Sequence, residues 1–328
     1  MGKINISSGG SNPICSKNRT KINGATSGEI DRGGYSYLHV IGGHSTGAIV
    51  GGTYGSRDYI SNVSVTGSLS HLFPSPVPNS HNMILTSCYK NGNYYFIDYT
   101  GFIHKVSSSG SVISKRNIST RTNVQVMESF FSDHYCYSVL NQGNHSYVYK
   151  TTLDGDRLIR EKYLSSNRVN SRASTFIVDN NTEVVLVRSG DVYYSYDFHT
   201  DTIRTLDKIN QSYHLDFPLL FNGSFGMSDF FKKRNSEGLV YKIDLLEAFR
   251  ANEKFYYAPA QLNFYSSESS DSRFLVGIFI DRFDKENVDV RFFGETVGKH
   301  SYFWGFHVTD SNMLVRVNSS GRIRFNSF

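Results

Sequence analysis

One strand–turn–strand hairpin recurs at starts 59, 102, 147, 192, 239 and 288. This repeat predicts an all-β chain, a seven-bladed β-propeller of four-stranded antiparallel blades. Two further observations agree. The starts are 43, 45, 45, 47 and 49 residues apart, the length of one blade. The chain is also rich in strand and turn formers, with 22 Tyr, 24 Phe and 28 Gly against 6 Pro in 328 residues. Aromatics at this density supply a core, which excludes a disordered chain. Glycine shows no three-residue period, which excludes collagen. Ala, Glu, Lys and Leu do not dominate, which excludes a coiled coil.

In chain order, Lys3-Ile4-Asn5-Ile6-Ser7 is a short alternating run, followed by a Gly/Ser/Asn-rich stretch over 8–33 that reads as loop. The blades then occupy 35–328, making a single domain of 1–328. The first hairpin starts at Tyr59, turns at Ser64–Gly67 and returns through Ser68-Leu69-Ser70. The second starts at Phe102 and turns at Ser107–Gly110; the third starts at Tyr147 and turns at Thr152–Gly155. A glycine column, Gly67, Gly110 and Gly155, fits turns that need a positive φ. A mostly basic column, Lys105, Lys150, Lys242 and Arg291, reads as a solvated strand face. The fourth copy starts at Val192 and turns at Asp197–Thr200, the fifth starts at Leu239 and the sixth at Val288.

Two strand-like runs precede four of these hairpins: Met83–Tyr89 and Tyr94–Tyr99, Val124–Phe131 and His134–Leu140, Thr175–Val178 and Glu183–Arg188, and Tyr213–Phe221 and Phe225–Lys232. Each such set makes four strands. Ile243–Arg250 departs from the pattern, with Leu245, Leu246 and Phe249 at helical spacing, and predicts a short helix at the edge of the fifth blade. The last three runs, Tyr302–Val308, Met313–Val317 and Arg322–Asn326, are one strand short of a blade. Lys3–Ser7 is the expected fourth, closing the ring and removing a sheet edge.

Chemistry is sparse. There is no G-x-S-x-G, no H-E-x-x-H and no phosphate-binding loop. Gly42-Gly43-His44-Ser45-Thr46-Gly47 and Gly51-Gly52-Thr53-Tyr54-Gly55 read as turns of the first blade. Asp154-Gly155-Asp156 is too short for a calcium loop. Cys15, Cys88 and Cys136 make neither a disulfide framework nor a zinc site. No metal or other cofactor is expected. Asp98, Asp133, Asp179 and Asp281 each end a strand-like run and would line one rim of the ring, the placement that paired-carboxylate chemistry requires. Ordinary turn acids are the simpler reading. The histidines do not pair at metal spacing, and His39 and His44, the nearest neighbours, are not read as catalytic. Trp304, the sole tryptophan, reads as a core anchor.

Charge gathers at the ends. Residues 1–34 and 311–328 each carry a net +3, and the remainder −1. If the ends share a blade, they present a basic surface to an acidic partner. Nucleic acid would demand denser basic clusters interleaved with aromatics. No apolar run reaches the roughly 20 residues of a membrane span, and no signal segment is visible.

The turns Ser108-Ser109-Gly110-Ser111-Val112 and Leu153-Asp154-Gly155-Asp156-Arg157 resemble the third-to-fourth-strand hairpins of quinoprotein-like propellers, a likeness that spans 35–328 as a repeat pattern. None of that family's catalytic residues maps onto this chain. WD40 and kelch marks are missing. In its abundance of Ser, Asn, Gly and Tyr, its degenerate repeats and its lack of catalytic motifs, the chain also resembles virion proteins of tailed bacteriophages. That resemblance implies a non-enzymatic tail or capsid-associated platform, made in the host cytoplasm, whose partners are other virion proteins or a host surface component. The alternatives are a lectin-like propeller, with rim aromatics such as Tyr54, and a propeller hydrolase or lyase.

Overall fold

The computed structural model describes residues 4–7, 27–30, 35–44, 47–64, 69–78, 84–178, 183–189, 192–206, 233–234, 240–245, 250–251, 255–266, 269–281, 288–296, 306–308, 313–317 and 323–327. Among them every regular element is a strand. Two short strands come first, β1 (Ile4–Ser7) and β2 (Ser27–Ile30). Four units of four antiparallel strands follow. The first is β3 (Tyr35–His44), β4 (Gly47–Tyr54), β5 (Arg57–Ser64) and β6 (Leu69–Pro74). The second is β7 (Ile84–Lys90), β8 (Asn93–Asp98), β9 (Phe102–Ser107) and β10 (Val112–Asn117). The third is β11 (Val124–Phe131), β12 (Tyr135–Gln142), β13 (His145–Thr152) and β14 (Leu158–Ser165). The fourth is β15 (Val169–Val178), β16 (Glu183–Ser189), β17 (Val192–Asp197) and β18 (Thr202–Leu206).

The predicted runs of the second, third and fourth blades therefore fall on observed strands. Within each unit the strands pair in chain order. First strands are neighbours from unit to unit: β7 lies beside β3, β11 beside β7 and β15 beside β11. Each unit buries both faces, and three apolar layers fill the spaces between them. Ile41, Ile49, Ile60 and Phe73 meet Ile84, Tyr94, Phe96 and Val106. Ile97 and Ile103 meet Val126, Cys136, Leu140 and Tyr149. Tyr137, Val139 and Val148 meet Phe176, Val185, Val187 and Tyr196. Strand alternation sends successive residues to successive layers, so Val148 packs forward on the fourth unit and Tyr149 back on the second.

The glycines of the first unit correct the turn reading. Gly42 and Gly43 lie in β3, and Gly51 and Gly52 in β4. β3 and β7 run parallel, with Gly42 opposite Ser87 and Gly43 opposite Cys88, which joins two units into one eight-stranded sheet. A Cβ on Gly42 would stand 2.3 Å from the Ser87 carbonyl oxygen, so only glycine permits this approach. The third-to-fourth-strand turns lean backward in the same way. Gly110 (φ 89°) lies against Phe73 of the preceding unit, and Gly155 (φ 72°) against Ile103 and Arg116. The fourth unit has no glycine there. Asp201 takes the positive φ, and its carboxylate accepts from Tyr196 Oη at 2.9 Å and pairs with Lys162 of the third unit at 3.1 Å. Gly67 lies outside the described residues.

Beyond the fourth unit the regularity changes. β19 (Lys233–Arg234), β20 (Val240–Leu245), β21 (Arg250–Ala251), β22 (Phe255–Ser266), β23 (Ser269–Asp281) and β24 (Val288–Thr296) form one seven-stranded sheet with β1. The fifth and sixth hairpins thus share a sheet rather than opening separate four-stranded ones. The helix expected over Ile243–Arg250 is strand at both ends: Ile243–Leu245 continues β20, and Arg250 opens β21. Tyr241, Ile243 and Leu245 alternate with Lys242 and Asp244, and that period of two prevails once β22 offers its edge. Residues 246–249 and the runs Tyr213–Phe221 and Phe225–Lys232 lie outside the described residues.

The last strands are β25 (Phe306–Val308), β26 (Met313–Val317) and β27 (Ile323–Ser327). β25 and β26 lie beside β3 of the first unit. The strand that pairs with β27 is β2, from the stretch 8–33 read as loop, in antiparallel register from Ser27 opposite Asn326 to Ile30 opposite Ile323. The run Lys3–Ser7 instead supplies β1, which pairs in parallel with β24, Ile4 opposite Val288. Ser27–Ile30 contains Gly28 and Glu29, poor strand formers, and becomes strand because it reaches the edge of β27.

Candidate functional site

The acids proposed for one rim do not share it. Asp98 closes β8 before the second-to-third-strand turn, whereas Asp133 lies in a first-to-second-strand turn, so the two occupy opposite ends of their sheets. Asp179 lies outside the described residues, and Asp281 ends β23. Asp98 is buried and fully engaged. Its Oδ1 accepts from the Thr100 N–H (2.9 Å), the Thr100 hydroxyl (2.7 Å) and the Phe102 N–H (3.0 Å), and its Oδ2 meets His104 Nε2 at 2.8 Å. Burial pushes its carboxyl up, but the His104 ring, the Phe102 N–H and the Thr100 hydroxyl together hold it below the usual carboxylate range. A group with a lowered folded-state pKa stabilises above its unfolded value and loses that contribution in acid. Stability is therefore expected to fall as pH drops below roughly 4. Asp98→Asn should cost about 1.5–3 kcal/mol at neutral pH and flatten the acid limb, as read by urea unfolding across pH. Asp133 is exposed and pairs with Lys90 of the second unit at 2.7 Å.

Lys150, assigned above to a solvated face, is instead enclosed. Its ammonium pairs with Glu183 of the fourth unit and sits 4.1 Å from the centre of the Tyr135 ring and 5.6 Å from that of Tyr137. The Tyr137 hydroxyl donates to Glu183 Oε1 at 2.9 Å. Burial, reinforced by the Glu183 carboxylate, pushes that hydroxyl up, so it stays protonated and donates. Lys105, one repeat earlier, lies over the Tyr95 ring at 5.8 Å and is half-buried. Lys105 and Lys150 thus face forward into the gaps between units, near the tyrosines directly opposite them, Tyr95 and Tyr137.

Aromatic surface lies at the second-to-third-strand turns. Tyr54 is 43% exposed and meets Tyr59 and His71 edge-on, with centroids 6.3 and 5.2 Å away; Tyr59 and His71 are 5.0 Å apart. Arg57 is exposed, stands opposite Tyr54 in the ladder and shares a strand face with Tyr59. The third unit repeats this set of residue types. Tyr147, in the repeat column of Tyr59, is flanked by Tyr163 at 5.6 Å; Tyr163 also meets His145 at 6.0 Å and is 49% exposed. Arg121, from the connection between units, lies over the Tyr147 ring at 4.1 Å and bonds Glu161 through Nε at 2.8 Å and Nη2 at 2.6 Å. Hydrogen bonding to Glu161 raises the Arg121 pKa above its ordinary value. Only Tyr54 of these clusters stood out in the sequence. Tyr59 and Tyr147 were visible as repeat starts, but His71, Tyr163 and Arg121 reach them only through pairing and through a loop.

His39 lies in β3, half-buried, and His44 ends that strand; Trp304 lies outside the described residues. Among the described residues, Cys88 and Cys136 carry free thiols, and burial pushes Cys136 up to about 12. No group of three or more potential metal ligands occurs among the described residues. No helix among them is long and apolar enough to cross a membrane.

No protein-family model and no curated protein sequence matches the chain. Solved structures do. A catalytically inactive virginiamycin B lyase from Staphylococcus aureus, solved with quinupristin, superposes with a TM-score of 0.51 at 9% identity, covering 93% of this chain and 99% of that one. The WD40 β-propeller domain of Doa1 gives 0.46 at 10% identity, over 89% and 97% of the two chains. BamB from Moraxella catarrhalis gives 0.41 at 10% identity, over 92% and 96%. With successive four-stranded units packed face to face and this superposition along most of its length, the chain has the β-propeller fold.

Proposed function

We propose that the chain is a seven-bladed propeller closed by an N-terminal strand, and that it works as a non-enzymatic platform in a bacteriophage virion, in the tail or associated with the capsid. The four regular units, the closing sheet β2/β25–β27 and the strands of the seven-stranded sheet supply material for seven blades. The observation that carries the platform reading is the exposed Tyr54–Tyr59–His71 cluster. It sits at a turn of units locked to one another by Gly42, Gly110, Gly155 and the Lys150–Glu183 pair. Loops held still by a rigid scaffold are suited to recognition. The virion assignment draws on composition and repeat style, and the partners it names are other virion proteins or a host surface component. Mass spectrometry and immuno-electron microscopy of purified particles test it. The chain is expected at a defined tail or capsid position; particles lacking it, or a purified monomer that turns over a substrate, would overturn the reading.

A second reading, a carbohydrate-binding propeller, is favoured by the same open aromatic cluster, since exposed tyrosine rings stack on the apolar faces of sugars. A glycan array with Tyr54→Ala as control separates the two.

A further inference from the structure

The second and third units each turn a thiol into the gap between them. Cys88 lies in β7, where Thr86 stands opposite Ile97 and Cys88 opposite Tyr95. Alternation puts Thr86 and Cys88 on one face, that of Ile97, which packs forward on the third unit. Cys136 lies in β12 and packs backward, in the same layer as Ile97 and Ile103. The strands are close neighbours: β7 lies beside β11, and Phe131 of β11 stands opposite Cys136. An ion pair pins the units at this end of the gap. Lys90, two residues beyond Cys88, meets Asp133, three before Cys136, at 2.7 Å. Burial raises the Cys88 thiol above its ordinary pKa, the Cys136 sulfur adds to this and the Lys90 ammonium opposes it, so the two sulfurs lie within electrostatic reach of each other.

We propose that Cys88 and Cys136 form a disulfide when the chain meets a peroxide, and that this bond stitches the second unit to the third. Cys88 is half-buried and Cys136 is 1% exposed, so Cys88 reacts first. Its sulfur attacks one peroxide oxygen, the O–O bond breaks, and the other oxygen leaves as water with the thiol proton. The product is a sulfenic acid at Cys88. The Cys136 sulfur then attacks the Cys88 sulfur, the S–O bond breaks, and the hydroxyl leaves as water with the Cys136 proton. The two thiols give up two electrons, and the peroxide is reduced to two waters. Ser138 Oγ, 3.7 Å from Cys136 Sγ, is placed to donate to the attacking sulfur. Burial holds both thiols protonated, so the pair reacts slowly and stays reduced in a reducing compartment. The stitch would stiffen the scaffold whatever its partner.

The test uses the full chain, purified under reductant and then treated with hydrogen peroxide. Remaining thiols are alkylated after denaturation, and unreduced digests are read by mass spectrometry. The expected result is a monomer lighter by two hydrogens, with the peptides of Cys88 and Cys136 linked. Its thermal midpoint should rise by about 5 °C, and reductant should reverse the rise. Cys15→Ser should change nothing. Cys88→Ser and Cys136→Val should each abolish the link and the rise. Val185 holds the place of Cys136 in the fourth unit, opposite Tyr196 as Cys136 is opposite Thr151, so a valine there keeps the layer filled. Cys88 and Cys136 left unlinked after oxidation, or either joined to Cys15, would overturn the proposal. A Cys88–Cys136 link that leaves the midpoint unchanged or lowers it would overturn the stitch.

Discussion

Lys150→Ala is expected to cost about 3–5 kcal/mol of stability, with the Glu183 carboxylate as the cause. The side chains of the pair are 10% and 17% exposed, so solvent screens them little. Removing the ammonium leaves Glu183 between two units with, among the described residues, the Tyr137 hydroxyl as its remaining side-chain partner. The two tyrosine rings also lose the cation they face, worth about 0.5–2 kcal/mol. Lys150→Met with Glu183→Leu should restore most of the loss, because a filled apolar gap serves about as well as a buried pair. Denaturant unfolding of the two single variants and the double variant gives the coupling. A loss under 1 kcal/mol in Lys150→Ala would return the lysine to the solvated face predicted from its spacing.

The second large effect lies in the glycine turns, and its size should follow the neighbours rather than the dihedral alone. Gly110, Gly155 and Gly143 all have positive φ, at 89°, 72° and 58°. An alanine at each pays about 1–2 kcal/mol for the left-handed backbone. At Gly143 nothing lies within 4 Å of the added Cβ, so that is the whole cost. At Gly155 the nearest atom is Ile103 Cδ1 at 3.2 Å, the mobile end of a side chain, and the added cost is small. At Gly110 the new atom falls 2.4 Å from Phe73 Cβ, which cannot move without shifting β6. Overpacking there adds about 1–3 kcal/mol. The expected order of loss is Gly110→Ala, then Gly155→Ala, then Gly143→Ala, measured as shifts in thermal midpoint. Equal losses would mean that the turns do not bear on the preceding unit.

How much of this was legible varies along the chain. The strands of the second to fourth units lie where alternation and turn residues put them, because their hairpins are local and each run has one sensible partner. Ile243–Leu245 shows the opposite case: helical and alternating spacing coexist in one segment, and the β22 edge decides between them. For the candidate site, Tyr54 was visible as a rim aromatic and Tyr59 and Tyr147 as repeat starts. The meeting of Arg121 with Tyr147, or of His71 with Tyr59, was not, since it depends on strand register and on a connecting loop.

From the residues alone followed the all-β class, the blade-length period and the need for glycine in the hairpin turns, because each is a property of a few neighbouring residues. Tertiary structure decided the rest: which sheet edge Ile4–Ser7 and Ser27–Ile30 join, why Gly42 allows no side chain, and that Lys150 is enclosed. These are contacts between segments far apart in the chain. A four-residue strand, a glycine or a lysine carries no local mark of the neighbour it will meet.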